Sequence, residues 1–157
     1  MPSLALSAAL EREHREIDSG IEAFLEKLDC GSLQPEPLTA ALEALRRHIY
    51  IEEVFLFPPI REAGLAMPIF VMMREHGELW RTMDTLKDLL ADGRDGGRLR
   101  DTCRRLLDLL DQHNSKEEPV VYPHADADVP PQTTAELTRF IETGHTPGGW
   151  VCQHAGA

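Results

Sequence analysis

The sequence His48-x-x-x-Glu52-Glu53-x-x-x-Phe57-Pro58 returns later in the chain as His113-x-x-x-Glu117-Glu118-x-x-x-Tyr122-Pro123. Ahead of each copy, Arg12-Glu13-His14 returns as Arg74-Glu75-His76. On a helix, a spacing of four places His48 over Glu52, and His113 over Glu117, on one face. The chain therefore reads as two copies of one unit, each with a lone histidine on an early helix and a His-x-x-x-Glu on a later one. Two such units can surround one site with four imidazoles and two carboxylates. That ligand set suits a pair of iron atoms.

Four long segments with helical periodicity must position these side chains. The first spans about 7–28, with Leu10, His14, Ile17, Ile21, Phe24 and Leu28 on one face. The second spans about 37–57, with Leu38, Ala41, Leu45, His48, Glu52 and Phe55 inward, and Pro58-Pro59 is expected to stop it. The third, about 68–91, turns Ile69, Met72, Met73, His76, Leu79, Trp80, Met83, Leu86 and Leu90 inward. A glycine-rich loop over 92–97 leads to the fourth, about 99–117, with Cys103, Leu106, Leu109, Leu110, His113 and Glu117 inward. Pro119 is expected to end that helix early, because it disfavours helical geometry at Glu118. A short fifth helix is expected over 133–143, and 144–157 reads as a tail. Short connections between helices of similar length imply an all-α, antiparallel up-down four-helix bundle. The expected division is 1–125 for the bundle and 126–157 for the short helix and tail, packed on it or trailing from it.

Each of the four stripes thus carries a polar residue able to bind metal. A buried ionised carboxylate is costly unless it is paired or holds a metal, so Glu52 and Glu117 need a partner. Imidazole nitrogen with carboxylate oxygen, and no thiolate, fits iron, manganese or zinc. Structural zinc more often uses cysteine and needs only four ligands. Six candidate ligands, His14, His48, Glu52, His76, His113 and Glu117, favour two ions. Each ion would take two histidines, the glutamates would bridge, and an additional oxide or hydroxide bridge would balance the charge of two iron ions.

These residues resemble the hemerythrin and HHE cation-binding family over about 14–123: a histidine on the first helix, H-x-x-x-E-E with F-P on the second, E-H on the third, H-x-x-x-E-E with Y-P on the fourth. The resemblance implies a four-helix bundle around a non-haem di-iron centre. His14, His48, His76 and His113 match the family's histidine ligands, and Glu52 and Glu117 its bridging carboxylates. There are two departures. Oxygen-carrying hemerythrins have a further histidine where this chain has Met72, and a thioether is a poor ligand for ferric iron. They also place the last acid five residues after the fourth-helix histidine, where this chain has Glu118, so Glu118 is the alternative to Glu117. Glu13, Glu53 and Glu75 flank the ligands off the stripes and are expected to be solvated or, at most, to orient an imidazole. Tyr122 and Phe57 are assigned packing roles, and His124, His145 and His154 no ligand role.

Composition narrows the partners. Against 16 Lys and Arg stand 27 Asp and Glu, a formal charge of −11, which argues against nucleic acid and anionic membrane. Three scattered cysteines suggest a reducing cytoplasm rather than a disulfide framework. The apolar run 69–73 is too short to span a bilayer, and no signal peptide is evident. The expected function is to bind or react with a small oxidant or gas (hydrogen peroxide, O2 or nitric oxide), with catalase-like peroxide disproportionation as the candidate activity. The alternative is a non-enzymatic iron or oxygen sensor.

Overall fold

The computed structural model describes residues 5–156. Four long helices form the bundle: α1 (Leu6–Asp29), α2 (Glu36–Ile51), α4 (Ala66–Asp92) and α5 (Gly96–Val120), with α3 (Phe57–Glu62) continuing the line of α2. α1 packs on α2 and on α5, and α4 packs on α5 and on α2, which closes an up-down ring. Two short helices follow, α6 (Tyr122–Ala127) and α7 (Pro131–Thr143). The expected stripes are largely the buried ones, although Leu90 and Leu109 are only partly buried and Leu89 is buried instead. Leu10, Ile21, Phe24, Leu45, Met83, Leu86, Leu99 and Leu106 fill the core, and the polar cluster lies between two apolar groups of side chains. Left-handed Gly93 (φ 67°) ends α4, and the Asp95 carboxylate caps α5 by accepting from the Arg98 amide at 2.9 Å.

The proline pairs behave differently from the sequence reading. Pro58-Pro59 does not stop the second helix. A π-helical segment, Glu52–Leu56, widens the turn, and α3 restarts at Phe57 with proline in its first turn. There the missing amide has no helical partner to lose. The extra residue in the turn also rotates the stripe. Leu56 becomes fully buried, whereas Phe55 turns outward against Tyr50 and Phe140. Likewise Pro119 does not end α5 at Glu117. The helix runs to Val120, with the Val121 amide bonded to the Glu117 carbonyl at 2.8 Å, and α6 restarts with Tyr122-Pro123. The repeated F-P and Y-P pairs thus mark the start of a new helix and swing an aromatic ring back toward the cluster.

The segment after α7 folds back along the bundle. Arg47 donates to the carbonyls of Phe140 (2.5 Å), Ile141 (2.6 Å) and Gly144 (3.2 Å), satisfying the C-terminal end of α7. Trp150 packs edge-on to Tyr50 and Trp80, Cys152 is buried, and Arg81 donates to the His154 carbonyl at 2.9 Å. The chain passes so close to α4 at Gly77 that a Cβ there would collide with the His154 carbonyl. Gly77→Ala should therefore lift the segment at a cost of about 1–3 kcal/mol, seen as a lower melting temperature and faster proteolysis after Thr143. An unchanged rate of cleavage would show that the segment does not depend on this contact. Burial also raises the Cys103 and Cys152 thiols to about 12 while Cys30 is exposed. A thiol reagent should accordingly modify one cysteine in the native protein and three after unfolding.

Candidate metal centre

All four stripe histidines and both stripe glutamates are buried and converge at mid-bundle: His14 from α1, His48 from α2, Glu52 from the π segment, His76 from α4, and His113 and Glu117 from α5. Glu52 and Glu117 have no solvent exposure. The π turn begins at Glu52, so the residue that breaks α-helical phase is also the one that enters the site, as π segments often do.

Every imidazole is held from outside by a carboxylate on its Nδ1–H. His14 donates to Glu118 (2.7 Å), His48 to Glu13 (2.7 Å), His76 to Glu53 (2.8 Å) and His113 to Glu75 (2.9 Å). Three of the pairs, Glu13–His48, Glu53–His76 and Glu75–His113, join different helices, as does Glu118–His14. A proton fixed on Nδ1 turns the Nε2 lone pair inward, the arrangement by which outer carboxylates orient metal-binding imidazoles. Glu13, Glu53 and Glu75 thus orient imidazoles rather than face water. Glu118 does the same, while Glu117 alone of the pair points inward. The outer acids are anchored in turn. Lys116 pairs with Glu75, Arg47 lies 3.5 Å from Glu13, and the Gln153 amide donates to Glu53 at 3.0 Å.

The inner carboxylates divide their oxygens between two histidine pairs. Glu52 Oε2 lies 3.3 Å from His48 Nε2 and its Oε1 3.0 Å from His76 Nε2. Glu117 Oε1 lies 3.2 Å from His14 Nε2 and its Oε2 3.5 Å from His113 Nε2. Two four-residue groups result, His14/His48/Glu52/Glu117 and Glu52/His76/His113/Glu117, each with donor atoms within 4.8 Å of one another. Despite the proximity, Glu52 Oε1, His76 Nε2 and both Glu117 oxygens lack a hydrogen-bond partner. Buried polar atoms without a partner are costly, and cations on the two sides of the shared carboxylates would satisfy them. A cavity of ≈ 10 Å³, about one water-sized sphere, lies among the four histidines and Glu52. Leu45, Ile49, Leu79 and Leu110 wall it off. The residues present fit a metal centre.

Tyr122 is the residue that sequence reasoning missed. It packs as expected, but its hydroxyl enters the cluster: 2.7 Å from Glu52 Oε2, to which it donates, 2.8 Å from His14 Nε2 and 3.0 Å from His48 Nε2. Its ring stacks on His14 (5.3 Å between centroids), as Phe57 stacks on His76 (5.4 Å). The signal was present in the repeat, whose two aromatic positions differ by one hydroxyl. His124 pairs with exposed Asp128, and His154 contacts Phe70 with its ring, so neither belongs to the cluster.

This is a helical bundle with a buried, two-fold repeated histidine–carboxylate centre. The profile of the hemerythrin HHE cation binding domain matches residues 5–125, and the chain belongs to that family. Family and cluster together make it a metal-binding protein, with iron as the metal. Among curated proteins it is similar to the iron-sulfur cluster repair protein YtfE of Yersinia pestis, in strain Pestoides F and in the biovar Antiqua strains Angola and Nepal516. Each is 36% identical over 93 residues, covering 57% of this chain and 38% of the relative. The chain thus spans well under half the length of these relatives. No solved structure gives a significant match. Among the described residues, no helix is long and apolar enough to cross a membrane.

Without metal, the carboxylates favour protonation of His48, His76 and His113. Burial opposes the imidazolium of His113, but Glu117, Glu75 and Glu52 outweigh it and push the group up to about 10. His48 and His76 are raised in the same way, against burial, by Glu52 with Glu13 and by Glu52 with Glu53. A group raised in the folded state stabilises fully below its unfolded value, 6.5 for histidine, and loses that contribution as pH climbs to its folded value. The metal-free protein should therefore lose thermal stability steadily from about pH 6.5 to about pH 10. A flat melting temperature across that window would contradict this electrostatic account.

Proposed function

We propose that the chain is a non-haem di-iron protein that binds and turns over a small oxidant, with catalase-like disproportionation of hydrogen peroxide as its activity. The observation that carries this reading is the division of Glu52 and Glu117, each extending one oxygen to either histidine pair. Such carboxylates are suited to bridge two ions, with His14 and His48 holding one and His76 and His113 the other. Iron, when bound, supplies Lewis acidity and one-electron chemistry toward peroxide, O2 or nitric oxide.

The protein's own part is positioning and exclusion. Glu13, Glu53, Glu75 and Glu118 fix the four rings, so little rotamer entropy remains to be lost when the metal binds. The apolar walls keep bulk water from the centre. Tyr122 offers a hydroxyl beside His14 and His48, whereas Phe57 offers only a ring face beside His76. Met72, buried one turn before His76, adds no hard ligand where oxygen carriers have a histidine. The His76/His113 side is therefore the one at which a small ligand finds an open position. The relatives are named for iron-sulfur cluster repair, and a role near damaged iron centres is compatible with chemistry toward a small oxidant. The acidic surface and unpaired cysteines suit a cytoplasmic setting.

A second reading, a sensor of iron or oxygen, is favoured by one contact. The Gln153 amide holds Glu53, and Glu53 holds His76. The C-terminal segment is thereby tied to the centre, and metal that binds only the folded form stabilises it. Mixing iron-loaded protein with hydrogen peroxide and recording O2 release separates the two. Catalytic O2 evolution supports the enzyme. No evolution, together with release of the segment to protease on chelation, supports the sensor.

The ligand assignment has its own test. Glu52→Ala and Glu117→Ala should each lose most bound metal, because each removes an oxygen from both groups. Glu118→Ala removes only the partner of His14 and should weaken binding by about 10–100-fold in chelator competition. A greater loss in Glu118→Ala than in Glu117→Ala would reverse the assignment on α5.

A further inference from the structure

We propose that the Tyr122 hydroxyl is itself a metal ligand, giving the His14/His48 position an oxygen donor that the His76/His113 position lacks. The inference rests on the reading of the cluster as a di-iron centre. Its basis is the set of distances around the hydroxyl oxygen. Neighbouring donor atoms set at right angles around a metal bound at ordinary lengths lie roughly 3.0 Å apart. His14 Nε2 and His48 Nε2 are 3.0 Å apart, His48 Nε2 and Glu52 Oε2 3.3 Å, and His14 Nε2 and Glu117 Oε1 3.2 Å. Tyr122 Oη completes the set at 2.8 Å from His14, 3.0 Å from His48 and 2.7 Å from Glu52. The separations among these five donor atoms thus suit a single ion.

A packing role does not account for this placement. Phe57, the counterpart of Tyr122 in the repeat, fills the same place beside His76 with the same stacking and no hydroxyl. Packing alone is served by phenylalanine, whereas the Tyr122 hydroxyl is set against Glu52, His14 and His48. Two imidazoles 3.0 Å apart between Nε2 atoms can share only one proton, so at least one lone pair is left among the five donor atoms. A cation there satisfies all of these atoms together. Coordination exchanges the phenolic proton for the metal: the O–H bond breaks, an O–metal bond forms, the proton passes to buffer, and no electron moves. The two irons would then be unlike, with Tyr122 adding a protein oxygen at the His14/His48 position only.

The chain has two tyrosines, which makes the test specific. The full chain is loaded with iron, oxidised to the ferric state, and measured by elemental analysis, visible absorption and resonance Raman spectroscopy. The expected result is a visible phenolate-to-iron charge-transfer band with enhanced tyrosine ring vibrations. Both should be lost in Tyr122→Phe and kept in Tyr50→Phe, since Tyr50 lies among Phe55, Phe140 and Trp150. The wild-type and Tyr50→Phe spectra decide the matter even where Tyr122→Phe holds less iron. Wild-type protein with two irons and no phenolate signal overturns the ligand while leaving the di-iron reading intact. A signal that survives Tyr122→Phe also overturns it. Wild-type protein that takes up no iron overturns both.

Discussion

Glu52 and Glu117 lie together in the middle of the bundle with no access to water, and the rest of the architecture answers to that placement. Each raises the cost of ionising the other, and burial adds to it. Nearby imidazoles nonetheless hold Glu117 well below the ordinary carboxylate range and Glu52 below it. An uncompensated buried charge costs several kcal/mol, so the four histidines are a condition of folding as well as candidate ligands. In the metal-free protein, positive charge is supplied by protons on His48, His76 and His113, and a cation would take their place. Metal binding and proton release are therefore two sides of one exchange. The outer acids complete the balance, because Glu13, Glu53, Glu75 and Glu118 hold the same rings from the opposite nitrogen.

The sequence repeat becomes a pseudo-symmetric site whose halves are alike in their inward histidines and glutamates and unlike in neighbours. Both halves restart a helix with an aromatic-proline pair and lay that ring on a histidine. One ring carries a hydroxyl and the other does not. On the second half, Met72 is buried one turn before His76 and offers no nitrogen donor there. Asymmetry is thus introduced twice, by adding an oxygen on one side and withholding a nitrogen on the other. Both changes leave the packed volume nearly constant, so the bundle accommodates them without rearrangement.

The fold and the inward residues were legible because helical spacing and metal chemistry impose the same pattern. A histidine on an apolar stripe with an acid one turn later shows its facing in one dimension. What was not legible depends on neighbours across the bundle. Glu13 meets His48, Glu75 meets His113 and Glu118 meets His14 over sequence separations that no local pattern reveals. Proline was read as a stop because the π turn that frees it was not foreseen. The same turn moved Phe55 outward and Leu56 inward. The stretch after Gly144 read as a tail because glycine and proline dominate it, yet Trp150 and Cys152 pack on the bundle and Gln153 reaches Glu53. Its anchor is Gly77, an unremarked helical glycine whose missing side chain makes room for another strand of chain.

The central claim is that one buried cluster holds two metal ions through shared carboxylates. Elemental analysis of protein expressed in iron-replete medium, followed by Mössbauer spectroscopy of the iron-57 form, tests it most directly. The account expects about two irons per chain, since the inward donors fall into two groups that share both carboxylates, with the two ferric sites magnetically coupled. One ion per chain, or two irons without coupling, would contradict it.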